Sequence, residues 1–495
     1  MSLISSIATI ATAGAGGADT FWASSMRITT TTVSGQSMQD KTSSACQFGA
    51  GGDIIVCISS NAEGNAETHH NAYIARLDPT DGSLIATSRY SQSTNNEQHR
   101  FRADSPVFYH PTMNKCIARV NKWWSGSSAL EEAVVVINTS NTADTVLNIV
   151  MDNPAAGNGN YIVSYVNDEH SIKFYNPSTG AVSPGQKVPT DSMVAFSLWA
   201  SSDSDSMVLA GRHNNQSQRL VKISQSSSGF GGATATRDSP SLSSSQPLSN
   251  DNSNRSKLFS SSGVYGWADR NSMFVYEVYS SLSLERTMQF STRSTYNGQG
   301  ISTQTYLISM VVAGGSLYVC VPVRFRKVGD SQNSTLYAIF QINPSTFQVT
   351  NSLAVMSDAG AEYIDANSGY LESNAEDTCI YLSYLHSKIN NRGGESSKVL
   401  KLPIDLSAIP DQTLSFNSTH DNIRIWEFSN TSTGGAYPVF SELFETPGPS
   451  YASPSATYSR SVSIDTPQTQ TAVKVTGNSA VSRTLLTGTA DITPT

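Results

Sequence analysis

The sequence reads GDIIVCISS at residues 52–60, AYIARLDPTDG at 72–82 and SLIATSRY at 83–90. The three pieces are short and rich in apolar and β-branched residues, and an Asp-Pro turn ending in Gly82 separates the second from the third. The stretch therefore predicts successive antiparallel strands of one sheet. Such a sheet cannot bury both faces by itself, so it requires similar neighbours.

The same pattern recurs in different sequence from about residue 45 to about residue 420. The Asp-Pro turn at 78–82 returns as Asn-Pro at 176–180 and, in part, at 343–344. At roughly 45–55 residues per unit the region holds about seven units, with six or eight left open. The units begin near residues 45, 104, 158, 191, 257, 303 and 360. The pattern predicts an all-β chain that forms a β-propeller of about seven blades.

Two extended arms flank the predicted propeller. Residues 1–44 form an N-terminal arm whose strand-like part, 20–33, is a candidate for the strand that closes the ring. The segment 422–428 is the other candidate. Residues 429–495, rich in Ser, Thr and Pro, are predicted to be a C-terminal arm with short strands that extends away from the propeller. The propeller itself is predicted to span 45–428.

The composition restricts the class of protein. Only 14% of the residues are charged, whereas soluble domains usually have roughly 25%, so hydroxyl and amide groups dominate the polar surface. A net charge of −8 argues against a nucleic-acid partner. The sequence contains no run of 18 apolar residues, so no membrane span is predicted. The first basic residue is Arg27, so residues 1–17 lack the positive region of a signal peptide.

Nothing in the sequence indicates a cofactor, a metal site or an active site. The five cysteines have no C-x-x-C spacing, and four of them lie in apolar strands, so they are predicted to be buried thiols of a reduced protein. The side chains of His69 and His70 diverge and lack carboxylate partners at ligand spacing. The carboxylates Asp358, Glu362, Asp365 and Glu372 have no distinctive spacing, and no hydrolase motif is present. The chain is therefore predicted not to be an enzyme.

Candidate contact residues lie where the second strand of a unit leads into the third. In a propeller these connections emerge on one face, and exposed aromatic and basic side chains there suit a glycan or protein contact. Trp123 and Trp124 are adjacent, so their side chains point in opposite directions in a strand, and one of them is expected in the core. The candidate contact residues are His69, His70, Trp123, Trp124, His170, His213, Arg324, Arg326 and Arg392.

The opening ATAGAGGADTFWA at residues 11–23 resembles the start of tailed-bacteriophage virion proteins, in which a Gly/Ala-rich leader precedes an aromatic strand. The blade-like repeats and the Ser/Thr/Asn-rich surface are also similar to phage tail and fibre proteins. This resemblance implies a structural or host-adsorption component of a phage tail or tail fibre, present in several copies in the virion. Its arms would bind other virion tail proteins, and its loops would bind a host surface glycan or protein.

Two alternatives remain open. The first is a propeller enzyme that degrades surface polysaccharide, which would release reducing ends or unsaturated products from glycans. The second is a secreted bacterial carbohydrate-binding adhesin with an extracellular location, which predicts that residues 1–13 are removed from the mature chain.

Overall fold

The computed structural model shows that the regular secondary structure of the described residues is almost entirely antiparallel β-strand. It describes residues 21–28, 38–49, 51–62, 72–92, 99–102, 107–124, 131–139, 145–147, 155–156, 161–166, 171–176, 186–187, 193–200, 206–213, 217–226, 229–238, 259–261, 264–269, 272–277, 284–289, 292–303, 309–326, 334–344, 346, 348–357, 362–364, 369–374, 376, 378–388, 396–416, 422–428, 437–444, 481–486 and 492–494. The prediction of an all-β chain is confirmed.

Within the described residues the strands form seven antiparallel sheets of four or more strands, numbered here from the N-terminal unit. One strand precedes them, β1 (Trp22–Ile28). Sheet 1 contains β2 (Met38–Gln47), β3 (Ile54–Ala62), β4 (Ala72–Leu77) and β5 (Leu84–Gln92). Sheet 2 contains β6 (His99–Arg102), β7 (Phe108–His110), β8 (Lys115–Trp124), β9 (Glu131–Ile137) and β10 (Thr145–Leu147). Sheet 3 contains β11 (Ala155–Ala156), β12 (Ile162–Val166), β13 (Ser171–Tyr175) and β14 (Gln186–Lys187).

The next two sheets are four-stranded meanders. Sheet 4 contains β15 (Met193–Ala200), β16 (Ser206–His213), β17 (Ser217–Ser226) and β18 (Gly229–Asp238). Sheet 5 contains β19 (Phe259–Ser261), β20 (Val264–Asp269), β21 (Ser272–Glu277) and β22 (Leu284–Gln289). A small hairpin of β23 (Thr295–Tyr296) and β24 (Gln299–Gly300) follows.

The last two sheets include strands from distant parts of the chain. Sheet 6 contains β25 (Ser302–Thr303), β26 (Ser309–Ala313), β27 (Ser316–Phe325), β28 (Ser334–Ile342) and β29 (Val349–Ser357), extended by β34 (Gln412–Leu414) and β35 (Ile423–Glu427). Sheet 7 contains β30 (Glu362–Ile364), β31 (Tyr370–Ser373), β32 (Cys379–Lys388) and β33 (Ser396–Pro403), and β1 pairs with β33. A 3₁₀ turn (Leu406–Ala408) follows β33, and the short helix α1 (Phe440–Leu443) follows β35.

Apolar clusters join neighbouring sheets, because many inner strands present apolar side chains on both faces. Sheets 1 and 2 share a cluster that includes Ile55, Cys116 and Val135. The cluster of Ile117, Val136 and Tyr175 joins sheet 2 to sheet 3, and a large cluster joins sheet 6 to sheet 7. Sheet 7 also packs on sheet 1, where Trp22, Tyr381 and Val399 meet Val56 and Tyr73. Each fully buried side chain of this size contributes roughly 1.5–3 kcal/mol to stability.

The described C-terminal segments, 437–444, 481–486 and 492–494, contact the sheets, whereas the composition predicts an arm over 429–495 that extends away from them. α1 packs on sheet 6, and β36 (Val481–Leu486) and β37 (Ile492–Pro494) pair with β5 and β1. The physical reason is that Phe440 and Phe444 are apolar side chains that need a core, and that edge strands have unpaired backbone groups. The predicted boundary at 428 thus falls between Phe428 and Phe440, whose rings are 5.7 Å apart.

Candidate functional site

The predicted contact residues border the connections between second and third strands. Trp123 and Trp124 are the last residues of β8, where their backbone pairs with that of Arg100 and His99. His213 is the last residue of β16. These three therefore belong to strands rather than to loops. The contact residues that lie outside the described residues are His69, His70, His170 and Arg392.

Arg324 and Arg326 are the two candidates whose side chains the structure describes. Arg324 is exposed and is the penultimate residue of β27, opposite Thr335 of β28. Arg326 follows the strand and is half-buried. Both residues therefore lie at the end of sheet 6 where β27 leads into β28.

A third arginine shares this end of sheet 6. The register pairs Met356 of β29 with Leu336 of β28 and with Arg424 of β35. Arg424 is therefore in the same cross-strand row as Val323, one residue before Arg324. Because successive residues alternate between the two faces, Arg324 and Arg424 emerge on opposite faces of the sheet end. We call Arg324, Arg326 and Arg424 together with Asn422 the arginine edge.

The arginine edge has hydrogen-bonding groups that are unused within the described part of the chain. Arg424 donates from Nη1 to Thr413 Oγ1 at 3.3 Å, and its guanidinium carbon lies 5.5 Å from the centre of the Tyr437 ring. Arg326 Nε, Arg424 Nε and Asn422 Oδ1 are buried and have no partner among those residues. Guanidinium groups bind carboxylate, sulfate and phosphate groups through paired N–H donors. The exposed Arg324 is therefore the member of the edge that is chemically suited to an acidic partner.

Sequence reasoning missed two buried cationic or titratable side chains that link neighbouring sheets. Arg76 in β4 donates to the carbonyl oxygens of Asn138 and Thr139, the latter at 3.1 Å, and lies 3.4 Å from Asp53 Oδ2. His110 at the end of β7 is fully buried and contacts the carbonyl of Tyr161 through Nε2 at 2.7 Å. The sequence signal that could have revealed both residues is a basic or titratable side chain among the apolar residues of a predicted strand.

The environment of His110 disfavours its charged form. Burial lowers the pKa of His110 from its ordinary value, and the hydrogen bond to Tyr161 opposes this only in part. A carbonyl oxygen can only accept, so Nε2 carries the hydrogen, and Nδ1 accepts a long bond from the Met113 amide at 3.4 Å. Both ring nitrogens are therefore occupied by structural bonds, and His110 belongs to the core.

The prediction of buried thiols is confirmed for the four cysteines in apolar strands, Cys57, Cys116, Cys320 and Cys379, and Cys46 is buried as well. Burial raises the pKa of Cys57 to about 12, and it also raises the pKa of Cys320. A protonated thiol is a poor nucleophile and a poor metal ligand.

Metal sites and membrane spans each have requirements that can be compared with the described residues. In that part of the chain, no group of three or more His, Cys, Asp and Glu side chains is arranged to hold a metal ion. Glu362 and Glu372 lie in β30 and β31, while Asp358 and Asp365 are outside the described residues. No described helix has the length and apolar character that crossing a bilayer requires.

Comparison with known proteins gives no family. No family model matches the chain, and no curated protein matches it. Among the solved structures, it is similar to dihydro-heme d1 dehydrogenase NirN in complex with DHE, with 9% sequence identity and a TM-score of 0.34. That match covers 63% of this chain and 66% of the NirN chain, slightly less than two thirds of its length.

Proposed function

We propose that the seven sheets are the blades of one β-propeller. The observation that carries this proposal is a succession of contacts between neighbouring sheets. Each contact joins the strands that directly precede, and pair with, the inner strands β3, β8, β12, β16, β20, β27 and β32. β19 contacts β26, β26 contacts β31, β31 contacts β2, β2 contacts β7, β7 contacts β11, and β11 contacts β15. These six contacts connect all seven sheets, and each is made by the corresponding strand of its sheet. This is the pattern expected for the innermost strands of blades that surround an axis.

A repeated hydrogen bond between sheets supports the same arrangement. Ser44 Oγ in sheet 1 accepts a hydrogen bond from the Val107 amide at the start of sheet 2, at 3.0 Å. Ser309 Oγ in sheet 6 accepts one from the Leu371 amide in sheet 7, at 2.8 Å. The partners are 63 and 62 residues apart in sequence. Equivalent side chains therefore join equivalent strands at two places in the proposed ring.

The two chain ends meet at the junction between sheets 7 and 1. β1 adds to sheet 7, and Trp22 of β1 donates from Nε1 to the Pro79 carbonyl in sheet 1 at 3.1 Å. β36 extends sheet 1 and β37 extends sheet 7. In a propeller, strands from both termini joining the first and last blades leave no open junction there. On this proposal β1, which lies within the predicted segment 20–33, is the closing strand, and 422–428 is not.

On this scaffold the chain acts as a non-enzymatic structural or host-adsorption component of a phage tail or tail fibre, present in several copies. The support consists of the resemblance at residues 11–23, the weakly charged polar composition and the arginine edge. Arg324 lies beside the β27–β28 connection, and its exposed side chain suits an acidic sugar or an acidic protein surface. The partners are therefore other virion proteins and a host surface glycan or protein.

Two measurements test this function. Mass spectrometry and immunogold labelling of gradient-purified phage particles are expected to find the chain on the tail. The purified chain is expected to bind host cells, and binding should fall at least about tenfold in the double variant R324A/R326A and weaken with added salt. Lys115→Ala is the control. Lys115 is the first residue of β8 in sheet 2, so it lies at the strand end opposite to the connection between β8 and β9.

A stable monomer that is absent from particles and has no affinity for virion components or host cells would contradict the proposal. Release of reducing ends from host glycans would instead favour the polysaccharide-degrading enzyme. A mature chain without residues 1–13 would favour the secreted adhesin.

A further inference from the structure

Two buried thiols meet across the interface between sheets 1 and 2. Cys46 lies in β2 and Cys116 lies in β8, and their Sγ atoms are 3.4 Å apart. The two side chains are 1% and 0% exposed. We propose that Cys46 and Cys116 form an intersheet disulfide when the protein meets a thiol oxidant, which makes this pair an oxidation site that locks sheet 1 to sheet 2. The inference is independent of the proposed tail function.

The geometry requires only a small movement. A disulfide places its sulfur atoms about 2.0 Å apart, so the two Sγ atoms must approach by about 1.4 Å in total. A rotation on the order of 25° about each Cα–Cβ bond provides this. The backbone is already held at this point, because Ser44, two residues before Cys46 on the same face of β2, accepts the hydrogen bond from the Val107 amide. The surrounding cluster includes Ile55 and Val135.

A third thiol in the same cluster provides an internal comparison. Cys57 of β3 pairs with Ser44 in the register, whereas Cys46 pairs with Ile55. Cys46 and Cys57 are therefore diagonal neighbours, which lie about 7–8 Å apart across an antiparallel pair. This separation exceeds the usual Cα distance of a disulfide. We therefore expect oxidation to select Cys116 as the partner of Cys46.

The reaction with an azodicarboxamide oxidant such as diamide is balanced as follows. One of the two thiols loses its proton and its thiolate adds to the N=N bond; an S–N bond forms, and the other nitrogen takes up a proton. The second thiolate attacks the same sulfur, the S–S bond forms and the S–N bond breaks. The hydrazine product leaves with the two protons and two electrons that the thiols have lost. A transient opening of the interface admits the oxidant.

The experiment uses the full chain, reduced and then freed of reductant. The native protein is treated with diamide, quenched by alkylation in denaturant, digested without reductant and mapped by mass spectrometry. We expect the peptides that contain Cys46 and Cys116 to be linked, with a loss of two hydrogen masses, while Cys320 and Cys379 are alkylated. The oxidised chain should also melt at a higher temperature, because the link closes a loop between residues 70 positions apart.

Two variants make the test specific. Cys57→Ser keeps both partners and should form the link to the same extent, whereas Cys116→Ser should leave Cys46 alkylated. Diamide treatment of the chain unfolded in guanidinium should give a mixture of pairings, which shows that the folded interface selects the pair. The proposal is overturned if Cys46 and Cys116 both remain alkylated after oxidation of the folded chain, or if Cys46 links to Cys57 as often as to Cys116.

Discussion

Gly82 lies against the indole ring of Trp22, so closely that a Cβ atom on Gly82 would be 2.6 Å from Trp22 Cε3. Gly82 ends the turn between β4 and β5, where its amide donates to the Asp78 carbonyl at 2.8 Å. The indole donates to the Pro79 carbonyl of the same turn. The strand β1 is thus held on sheet 1 through a turn that only glycine can complete.

Gly82→Ala is expected to destabilise the protein by about 3 kcal/mol, since it combines a left-handed backbone with a clash against a buried ring. Gly315→Ala is the matched control: both glycines have φ of +73°, but a Cβ on Gly315 would meet nothing within 4 Å. The control should therefore lose only about 1 kcal/mol. Equilibrium urea unfolding measures both. Equal losses would show that the contact with Trp22 contributes nothing.

The role of Arg76 is tested by replacing its guanidinium group. Arg76→Met removes the donors to the carbonyls of Asn138 and Thr139 and leaves Asp53 without its cation. We expect a loss of about 2–4 kcal/mol in the free energy of unfolding. Arg76→Lys keeps the charge, but a single ammonium group cannot reproduce the planar fork, so an intermediate loss is expected. A Lys variant as unstable as the Met variant would mean that the charge has no part in the stabilisation.

Sequence patterns predicted the strands well but not what joins the sheets. The piece AYIARL at 72–77 indicated the strand β4, yet the carbonyl groups that accept hydrogen bonds from Arg76 belong to residues 62 and 63 positions away. The same limit applies to the arginine edge. Arg324 and Arg326 were predicted as contact residues, whereas Arg424 reached the same sheet end only because β35 pairs with β29. Local periodicity predicts which face a side chain takes, but not which distant strand lies beside it.

His110 is expected to make stability depend on pH. Burial lowers its pKa in the folded state, so the folded protein favours the neutral ring. This contribution is complete above the unfolded pKa of about 6.5 and is lost as the pH falls from there toward the lower folded value. The wild type should therefore lose more stability than His110→Gln between pH 7.5 and pH 5.5. Urea unfolding of both proteins at the two pH values gives the change in the free energy of unfolding. The contributions of the other histidines are the same in both proteins and cancel in the comparison. Parallel pH profiles would contradict the prediction.

The two serine bonds between neighbouring sheets are expected to be energetically equivalent. Ser44→Ala removes the acceptor of the Val107 amide, and Ser309→Ala removes an acceptor of the Leu371 amide. Each substitution should cost about 1–2 kcal/mol, because a buried donor loses a hydrogen bond. Ser407→Ala, at an exposed position in the 3₁₀ turn, is the control and should change stability by less than about 0.5 kcal/mol. A neutral Ser309→Ala beside a destabilising Ser44→Ala would argue against a repeated structural role.

Phe440 tests whether the C-terminal segment belongs to the folded core. Its ring stacks on Phe444 at 5.1 Å and meets the edge of the Phe340 ring of β28 at 5.9 Å, well inside the cluster of sheet 6. Phe440→Ala is expected to cost about 3–5 kcal/mol through lost burial and the cavity that remains. The control is Ile85→Ala, since Ile85 is 51% exposed and should lose less than about 0.5 kcal/mol. Thermal and urea unfolding measure both variants. If Phe440→Ala were as stable as the control, residues beyond 428 would form an independent arm, as the composition of 429–495 alone predicts.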